Sequence, residues 1–382
     1  MLGALGFAWP ANAEPQYGPG ASAKAIRIGQ TVVYSGPASA WGLAGKMMSA
    51  YMADLNAKGG INGRKVELTS LDDACTPPKT VETTRRLVEI DKVLALMGST
   101  CTGSQAAVQK YLNDNKVPQL WSTGSGLSMY DAVNFPWTVS FNFSYELEGE
   151  QYGRYVAENK PGAKVGILIQ NDDVGRALVK GFARGLGDKG MIVKQLTYET
   201  TDPTVDSQVI EIKNSGADTF ANFAVLKYAA MSLRKVRSLD WQPLQIIMNS
   251  SSSIPGILEK AGSLEGFKGL VTNACYKNPS DPKWADDAGN TQYPPTMTKN
   301  YPGHQVDDAI AVHTYMIAEI AAKTLELAKD NLTRDNLMAV VNSLSGVQLS
   351  MLLPGIEIAV TPDNHNPIRK AWMSQFDGTR WV

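Results

Sequence analysis

The stretch that decides the fold is IRIGQTVVYSGPASAWGLAGKMMSAYMADLNAKGG, residues Ile26–Gly60. Its first part, Ile26–Val33, is rich in β-branched residues, which predicts a buried β-strand. A turn at Ser35–Pro37 follows, and Gly42–Lys58 then predicts a helix that the next two glycines end. The apolar side chains on one face of this helix are Met47, Met48, Tyr51, Met52 and Leu55. A strand followed by an amphipathic helix is the first half of a βαβ unit, so the stretch predicts a parallel sheet.

The same alternation of strands and helices continues along the chain in two series. The first series predicts strands at 65–71, 93–98 and 118–122, with helices that begin at Pro77 and cover 105–115. The second series predicts, in order, a strand at 165–169, a helix at 175–186, a strand at 191–198, a helix at 205–214, a strand at 219–225, a helix at 229–238 and a strand at 244–248. Two such series suffice for two parallel sheets with helices on both faces. The sequence therefore predicts an α/β protein with two lobes.

Length and composition agree with two lobes. The chain has 382 residues, which is long for a single hydrophobic core. Hydrophobic residues make up 43%, charged residues 19%, and the formal net charge is -1, so we expect no cationic surface and no nucleic-acid partner. The polar segment 273–303 predicts a loop that returns the chain from one lobe to the other. Residues 307–329 then predict a long amphipathic helix.

The N-terminal sequence MLGALGFAWPANA, residues 1–13, is apolar and ends in the small-residue pattern Ala11–Ala13. This ending is typical of a signal-peptidase site, and cleavage there would leave Glu14 first. No later stretch reaches the ~20 apolar residues that cross a bilayer. We therefore expect a signal peptide and an exported, soluble, periplasmic protein with no membrane-inserted segment. The alternative is an unfolded N-terminus.

The chain contains three cysteines, Cys75, Cys101 and Cys275, and none has the spacing of a zinc site. Cys75 and Cys101 each follow a predicted strand of the first series. Because carboxyl ends of neighbouring parallel strands meet at one edge, a disulfide between them is favoured over two separate buried thiols. That bond would close a loop of 26 residues, contribute roughly 3 kcal/mol and require an oxidising compartment. Cys275 is expected to be a buried free thiol.

Motifs of common enzymes are absent from the sequence. There is no P-loop, HExxH or GxSxG, which argues against a zinc peptidase and a hydrolase. A GxGxxG pattern occurs at Gly185–Gly190, but it follows a predicted helix and precedes a predicted strand, the reverse of the order in a dinucleotide-binding loop, which argues against a dehydrogenase. The histidines His304, His313 and His365 have no metal-like spacing, and we interpret each as a surface or capping residue. The neighbours Asp72 and Asp73 point to opposite sides of an extended chain and are assigned to capping or strand-end hydrogen bonds. We therefore expect no metal, no cofactor and no enzymatic activity.

Two segments rich in Ser, Thr and Gly each lie between a predicted strand and the chain that follows it. They are Ser99–Ser104 and Ser122–Gly126. Free backbone N–H groups and the positive end of a helix dipole favour an anion at such places. The segments therefore predict a site that holds a carboxylate without metal or arginine. The alternative is that they only cap helices.

Several short motifs together resemble one receptor family. They are Ser35–Pro37, Trp41–Gly42, Asn56–Gly63 and Asp72–Cys75, with Cys101. On these residues the chain resembles, from Ile26 onward, the branched-chain amino-acid binding proteins, the leucine/isoleucine/valine type of periplasmic receptor. The resemblance implies the type I periplasmic binding fold, with two doubly wound parallel-sheet lobes joined by three crossovers. It implies a first lobe of residues 24–142 plus 276–352, a second of 143–275 plus 353–382, and the Cys75–Cys101 disulfide.

The resemblance also implies where a ligand binds. The first lobe of these receptors holds a carboxylate through hydroxyl groups and backbone amides, a role that falls here on Thr102, Thr123 and Ser125. The aromatic residue after their Ser-Gly-Pro turn corresponds to Trp41. We therefore expect an anion site beside an aromatic wall.

The departures from the family pattern bear on the ligand. The acidic residue that accepts the α-ammonium of an amino acid corresponds to Ser250, and two tyrosines of the second lobe correspond to Val174 and Val225. An ammonium closed into a dry cleft without an acidic partner costs several kcal/mol of the about 8 kcal/mol in micromolar binding. We therefore predict an aromatic or other hydrophobic monocarboxylate, such as a benzoate. An alignment shift would instead place Asp172 or Asp173 at the ammonium.

The predicted function is that of a monomeric solute-binding protein. It closes its lobes on a small carboxylate and delivers it to a membrane ABC permease with its ATPase. The alternatives are a branched-chain amino-acid binding protein, a sensor of the same fold, and a hydrolase or dehydrogenase. A reduced Cys75–Cys101 pair would favour the sensor, and turnover of a bound acid would favour the enzyme.

Overall fold

The structure is a computed structural model that describes residues 14–302, 306 and 308–382. The predicted signal peptide, residues 1–13, and His304 lie outside the described residues. In the described chain, two sheets and the helices around them form two α/β lobes. This architecture confirms the predicted fold class.

A five-stranded sheet forms the centre of the first lobe. The elements of this part of the chain are β1 Gln16–Tyr17, β2 Ala25–Val32, α1 Leu43–Ala57, β3 Lys65–Asp72, α2 Pro77–Arg85, β4 Ala95–Met97, α3 Thr102–Asp114, β5 Gln119–Ser122 and β6 Thr138–Ser140. The strand order is β3-β2-β4-β5-β6, and all neighbours are parallel. The aliphatic side chains of β2 are fully buried, as the sequence predicts for a strand covered on both faces.

A six-stranded sheet forms the centre of the second lobe. The elements that build it and cover it are α4 Tyr145–Asn159, β7 Ala163–Gln170, α5 Asp173–Leu186, β8 Gly190–Tyr198, α6 Asp206–Asn214, β9 Thr219–Phe223, α7 Lys227–Ser238, β10 Leu244–Ile247, α8 Glu259–Ala261 and β11 Val271–Ala274. The strand order is β8-β7-β9-β10-β11, with a last strand from the C-terminus beside β11. That strand is antiparallel, and the other neighbours are parallel.

The rest of the chain returns to the first lobe before it ends. Its elements are α9 Ala288–Asn300, α10 Ala309–Leu327, β12 Asn331–Leu332, α11 Arg334–Val341 and β13 Trp372–Gln375. Strand β12 pairs with β1, and α10 packs against α1 and β5. The antiparallel edge strand of the second sheet is β13.

The prediction of a loop at 273–303 is wrong in part, because the segment contains α9. The carboxylate of Asp287 accepts hydrogen bonds from the N–H groups of Gly289 and Asn290 and so starts the helix. Tyr293 is fully buried and packs edge-on against Tyr315 of α10, with ring centroids 5.1 Å apart. Tertiary packing therefore stabilises a helix in a sequence of low helix propensity.

The chain passes between the two sheets three times: after β6, after β11 and before β13. These passages agree with the three predicted crossovers. We keep the predicted lobe bounds as a proposal with one revision at the third boundary, which was predicted at residue 353. Ile356, Ile358, Val360 and Ile368 belong to the hydrophobic core of the first lobe. We therefore propose that the third crossover lies between Ile368 and Trp372.

A disulfide joins two loops at the carboxyl edge of the first sheet. The structure contains the Cys75–Cys101 bond, as predicted, and Cys275 is a buried free thiol. Asp72 next to this bond accepts hydrogen bonds from the backbone N–H and hydroxyl of Ser35, among others. Asp73 accepts from the N–H of Cys75. Both carboxylates thus fix strand-end loops, which confirms the role assigned to them.

Candidate ligand-binding site

Each sheet has one point at which the order of its strands reverses. In the first lobe the point lies between β2 and β4, and in the second lobe it lies between β7 and β9. Open α/β sheets bind ligands outside the carboxyl ends of the strands at such points. The predicted residues Thr102, Val174 and Val225 follow β4, β7 and β9. Topology therefore places the candidate site between the two reversal points.

The N-terminus of α3 has no side-chain cap. Its N-cap residue, Cys101, makes no capping hydrogen bond, and Thr102 is the first helical residue. A side chain at Gly103 would have nothing within 4 Å, so the first turn faces open space. By contrast, the N-terminus of α5 is capped by the carboxylate of Asp172. Helix α3 therefore offers its dipole and first N–H groups to an anion, whereas the N-terminus of α5 is already occupied by the Asp172 carboxylate.

Hydroxyl groups lie beside this helix N-terminus. The Thr102 hydroxyl oxygen accepts a hydrogen bond from the N–H of Ser125 at 3.3 Å, which leaves its own proton available to a ligand. In the described part of the chain, no residue bonds the Thr123 hydroxyl, although its backbone carbonyl accepts from Asn142 at 2.7 Å. The structure thus brings Thr102, Thr123 and Ser125 together.

The Ser125 hydroxyl differs from the other two. It is almost fully buried, donates to the Thr123 carbonyl at 3.4 Å and accepts from the side-chain amide of Asn142. Both of its principal hydrogen-bonding functions are used within the first lobe. Its side chain is therefore suited to positioning Thr123, while its N–H positions Thr102.

The second lobe presents an apolar surface opposite α3. Val174 and Val225 are half-buried, and both pack with Tyr145 against the same hydrophobic cluster. A β-carbon at Gly126 would lie 3.7 Å from that of Asp173, so the two lobes meet next to Val174. The first lobe therefore brings hydroxyl groups, and the second lobe two apolar side chains, to the strand ends near which the lobes meet.

Ser250 lies in a short 3₁₀ turn, Asn249–Ser251, directly after β10. The Ser251 hydroxyl accepts from the N–H of Leu226 at 3.2 Å and donates to the carbonyl of Ala224 at 2.9 Å. These bonds hold Leu226 at a φ of 49°, a strained conformation for leucine. The turns that carry Val225 and Ser250 are thereby fixed side by side.

Trp41 lies in the 3₁₀ helix Ser39–Gly42, after β2 and near the carboxyl edge of the first sheet. Its side chain is half-buried. Among the described residues, no hydrogen bond or ring contact joins it to the other predicted site residues. Its place as a wall of the cleft stays a prediction.

The two aspartates that an alignment shift would bring to the ligand have other partners. The Asp172 carboxylate accepts from the N–H of Gly175 at 3.0 Å and from the Gln170 amide at 2.6 Å. Asp173 is exposed and forms an ion pair with Arg176 at 2.8 Å. Neither carboxylate is an unpartnered acid available to a ligand ammonium.

Glu148 is a buried acid close to the site, and we did not predict it from the sequence. Its carboxyl is 3% exposed and accepts hydrogen bonds from the N–H of Asn249 at 2.7 Å and the hydroxyl of Tyr152 at 2.8 Å. Burial raises the pKa of Glu148 to about 7, although both hydrogen bonds act to lower it. A large fraction of this carboxyl is therefore protonated at neutral pH.

Aromatic residues that we did not predict lie in the loop after β5 and near the first two crossovers. Tyr130, Tyr145 and Tyr276 keep some accessible surface, yet burial raises the pKa of each. His313 of α10 lies between Phe141 and Tyr276, with ring centroids 5.3 and 6.3 Å away. Side chains that are both enclosed and partly accessible line an internal space, and here that space adjoins the crossovers.

The interpretation of the histidines as surface or capping residues is wrong for two of them. Burial lowers the pKa of His313 to about 4, so its ring is neutral at neutral pH. His365 is fully buried, with ring nitrogens 2.7 Å from the Thr138 carbonyl and 3.1 Å from Asn342 Oδ1. His365 therefore ties the third crossover region to β6. The described residues contain no cluster of three His, Cys, Asp or Glu side chains that could hold a metal.

Cavities lie beside two of the crossovers. One of about 530 Å³ lies beside the second crossover, where Asp281 of the first lobe pairs with Arg380 of the second at 3.0 Å. One of about 220 Å³ lies beside the first crossover and is lined by Ser125 and Tyr130, among others. The larger cavity lies away from both reversal points. We therefore locate the candidate site from the free hydrogen-bond donors and the sheet topology, and not from the size of a cavity.

Comparison with known proteins identifies the relatives of the chain. A family profile described as "Periplasmic binding protein" matches residues 25–380. An "Amino acid binding protein" of Pseudomonas aeruginosa is 27% identical over 168 residues, 43% of this chain and 44% of that protein. A "Leu/Ile/Val-binding protein homolog 7" of Brucella abortus is 22% identical over 242 residues, 61% of this chain and 60% of that protein. The chain thus spans roughly half the length of the curated relatives it matches.

Solved structures match over nearly the whole chain. A fatty acid ABC transporter substrate-binding protein from Thermomonospora curvata has a TM-score of 0.81 at 21% identity, covering 96% of this chain and 94% of that one. A branched chain amino acid ABC transporter protein from Thermus thermophilus with bound valine has a TM-score of 0.84 at 17% identity. That match covers 94% of this chain and 95% of the other. A solute binding protein from R. palustris in complex with benzoate has a TM-score of 0.78 at 20% identity. That match covers 94% of this chain and 95% of the other. At these identities the likeness establishes the fold. Among the described residues, no helix is both long and apolar enough to cross a membrane.

Proposed function

Because the chain belongs to the periplasmic binding protein family, we propose that it is the solute-binding protein of an ABC importer and that its ligand is a small carboxylate. One observation carries this proposal. The uncapped N-terminus of α3 lies beside the hydroxyls of Thr102 and Thr123, and no described acid near it is free of partners. Such a site favours one negative head group.

The apolar wall selects the body of the ligand. We propose that the half-buried side chains of Val174 and Val225 face the cleft from the second lobe, where polar side chains would be needed to bind a polar ligand body. Burial of a ring or short alkyl chain contributes roughly 25 cal/mol per Å² of apolar area. We infer an aromatic or other hydrophobic monocarboxylate. The benzoate and fatty acid named for two structural neighbours belong to this class.

A second candidate is a branched-chain amino acid. The names of the curated relatives favour it, as does valine in one structural neighbour. Glu148 favours it too, because its carboxyl bonds the backbone next to Ser250. Against it stands the partial neutrality of that carboxyl at neutral pH. The aromatic or other hydrophobic monocarboxylate remains the preferred ligand.

Transport follows from closure of the lobes on the ligand. A ligand that contacts both walls binds the closed state better than the open state and so stabilises it. We propose that the closed, monomeric protein, exported to the periplasm, delivers the ligand to a membrane permease driven by its ATPase. The Cys75–Cys101 bond supports export, because disulfides persist in oxidising compartments.

Titration calorimetry against a panel of ligands tests the proposal. The panel contains benzoate, cinnamate and other aromatic acids, with leucine, isoleucine and valine as the competing class. We expect an aromatic acid to bind with a micromolar Kd and the amino acids to bind at least about 100-fold more weakly. Tight leucine binding would refute the assignment.

Thr123→Val is expected to weaken benzoate binding by about tenfold. The change removes a hydroxyl that bonds no described residue and keeps the shape of the side chain, so the loss is one hydrogen bond to a charged ligand, about 1.5 kcal/mol. Calorimetry measures the affinity, and thermal unfolding should show an unchanged stability. Thr123→Ser, which keeps the hydroxyl, is the control. Equal affinities for the Val variant and the unmodified protein would place Thr123 outside the site.

A further inference from the structure

Glu148 occupies the junction of the two lobes. It lies in the first turn of α4, directly after the first crossover. Its Oε1 atom bonds the N–H of Asn249, which precedes Ser250 at the end of β10. The same Oε1 atom accepts a hydrogen bond from the hydroxyl of Tyr152. That hydroxyl oxygen also lies 3.3 Å from the hydroxyl oxygen of Thr272 on β11. One carboxyl therefore connects α4, β10 and β11 where the second lobe borders the cleft.

The titratable groups that face this carboxyl carry no charge at neutral pH. They come from α4, from the loop after β5 and from the second crossover, and are Tyr130, Tyr145, Tyr152, Cys275 and Tyr276. Burial raises the pKa of each of these groups. No described Lys or Arg forms an ion pair with Glu148, so no cation offsets a negative charge there.

We propose that Glu148 couples ligand binding to the uptake of a proton, so that the cleft binds its carboxylate more weakly as the pH rises through neutrality. This inference rests on the proposed function. A carboxylate closed into the cleft repels the ionised form of Glu148, and low dielectric and the absence of a cation make that repulsion effective. The liganded protein therefore holds the proton more firmly than the free protein.

The sign of the pH dependence follows from linkage. Burial raises the pKa of Glu148 in the free protein to about 7, and a bound anion raises it further. Affinity is highest below the lower of these two values, falls between them and is constant above both. An amino acid would have the opposite effect near Glu148, because its ammonium favours the ionised carboxyl. Leucine would then release a proton and bind more tightly as the pH rises.

Calorimetric titration of benzoate across neutral pH tests the proposal. We expect the affinity of the unmodified protein to fall about tenfold between about pH 6 and about pH 8.5, a range in which benzoate itself stays ionised. Titrations in two buffers of different ionisation enthalpy should show proton uptake near pH 7. Glu148→Gln keeps an oxygen that can accept both hydrogen bonds and removes the titrating group. Its benzoate affinity should be the same across the range.

The outcomes separate the inference from the function it rests on. Benzoate binding of equal strength at every pH, or an equal fall in Glu148→Gln, would overturn the role of Glu148 and leave the carboxylate receptor intact. If Glu148→Gln does not fold, the two-buffer titration of the unmodified protein is the test. Proton uptake near pH 7 would support the proposal, and its absence would overturn it. Failure of benzoate to bind at any pH, together with leucine affinity that rises with pH, would overturn the proposed function itself.

Discussion

Ser250→Glu is expected to weaken benzoate binding by about 200-fold. The variant introduces a carboxylate at the position that the family resemblance assigns to the ammonium-binding acid, in the turn fixed beside Val225. Two like charges about 5 Å apart at an effective dielectric constant of about 20 repel by about 3 kcal/mol. Calorimetry at neutral pH measures the loss, and the same variant should gain measurable affinity for leucine.

Ser250→Gln is the matched control for this result. Glutamine has nearly the size of glutamate and no charge, so it separates repulsion from steric exclusion. We expect its benzoate affinity to exceed that of Ser250→Glu by more than tenfold. Equal losses in the two variants would show that space rather than charge limits the site. Unchanged binding in both would place Ser250 outside the cleft.

Trp41→Ala is expected to weaken benzoate binding by about 30-fold, more than Thr102→Ala does. If one face of the indole packs on the ligand, the variant loses roughly 80 Å² of buried apolar surface, or about 2 kcal/mol. The comparison uses calorimetry on both variants. Trp41→Phe retains an aromatic wall and should lose less than half of that free energy.

The position of Trp41 makes this prediction sensitive. The side chain lies after β2 and is half-buried, and no hydrogen bond or ring contact joins it to Thr102 or Val174 in the part of the chain that the structure describes. Closure on a ligand must bring it into contact for the large effect to appear. An alanine variant that binds benzoate as the unmodified protein does would remove the aromatic wall from the account.

Local periodicity was enough to predict the two sheets. Each βαβ unit pairs an aliphatic strand with an amphipathic helix, and the signal in Ile26–Gly60 recurs in β7 with α5. The missed elements are those whose signal is not local. Helix α4 was not predicted because glycines weaken its propensity, whereas in the structure a β-carbon at Gly149 would overlap the carbonyl oxygen of Leu178 on α5. Close contact between two helices explains those glycines.

The candidate site could be predicted on its first-lobe side. Thr102, Thr123 and Ser125 lie together because strand ends of one parallel sheet meet at one edge, which sequence order implies. Glu148 could not be predicted, because Glu146 and Glu148 both resemble acids of a solvated first turn. Glu146 pairs with Lys180 at the surface. Glu148 is buried and accepts a hydrogen bond from the N–H of Asn249, 101 residues away in the sequence. Its pKa depends on the assembled lobes.

We propose that the closed cleft offers donors to one carboxylate and no free acid to an ammonium. A crystal structure of the protein with its tightest ligand tests this most directly. We expect a ligand carboxylate within about 3 Å of the hydroxyls of Thr102 and Thr123 and of the N–H groups at the start of α3, with the apolar body of the ligand against Val174 and Val225. A ligand ammonium paired with the carboxylate of Glu148 or Asp172 would contradict it.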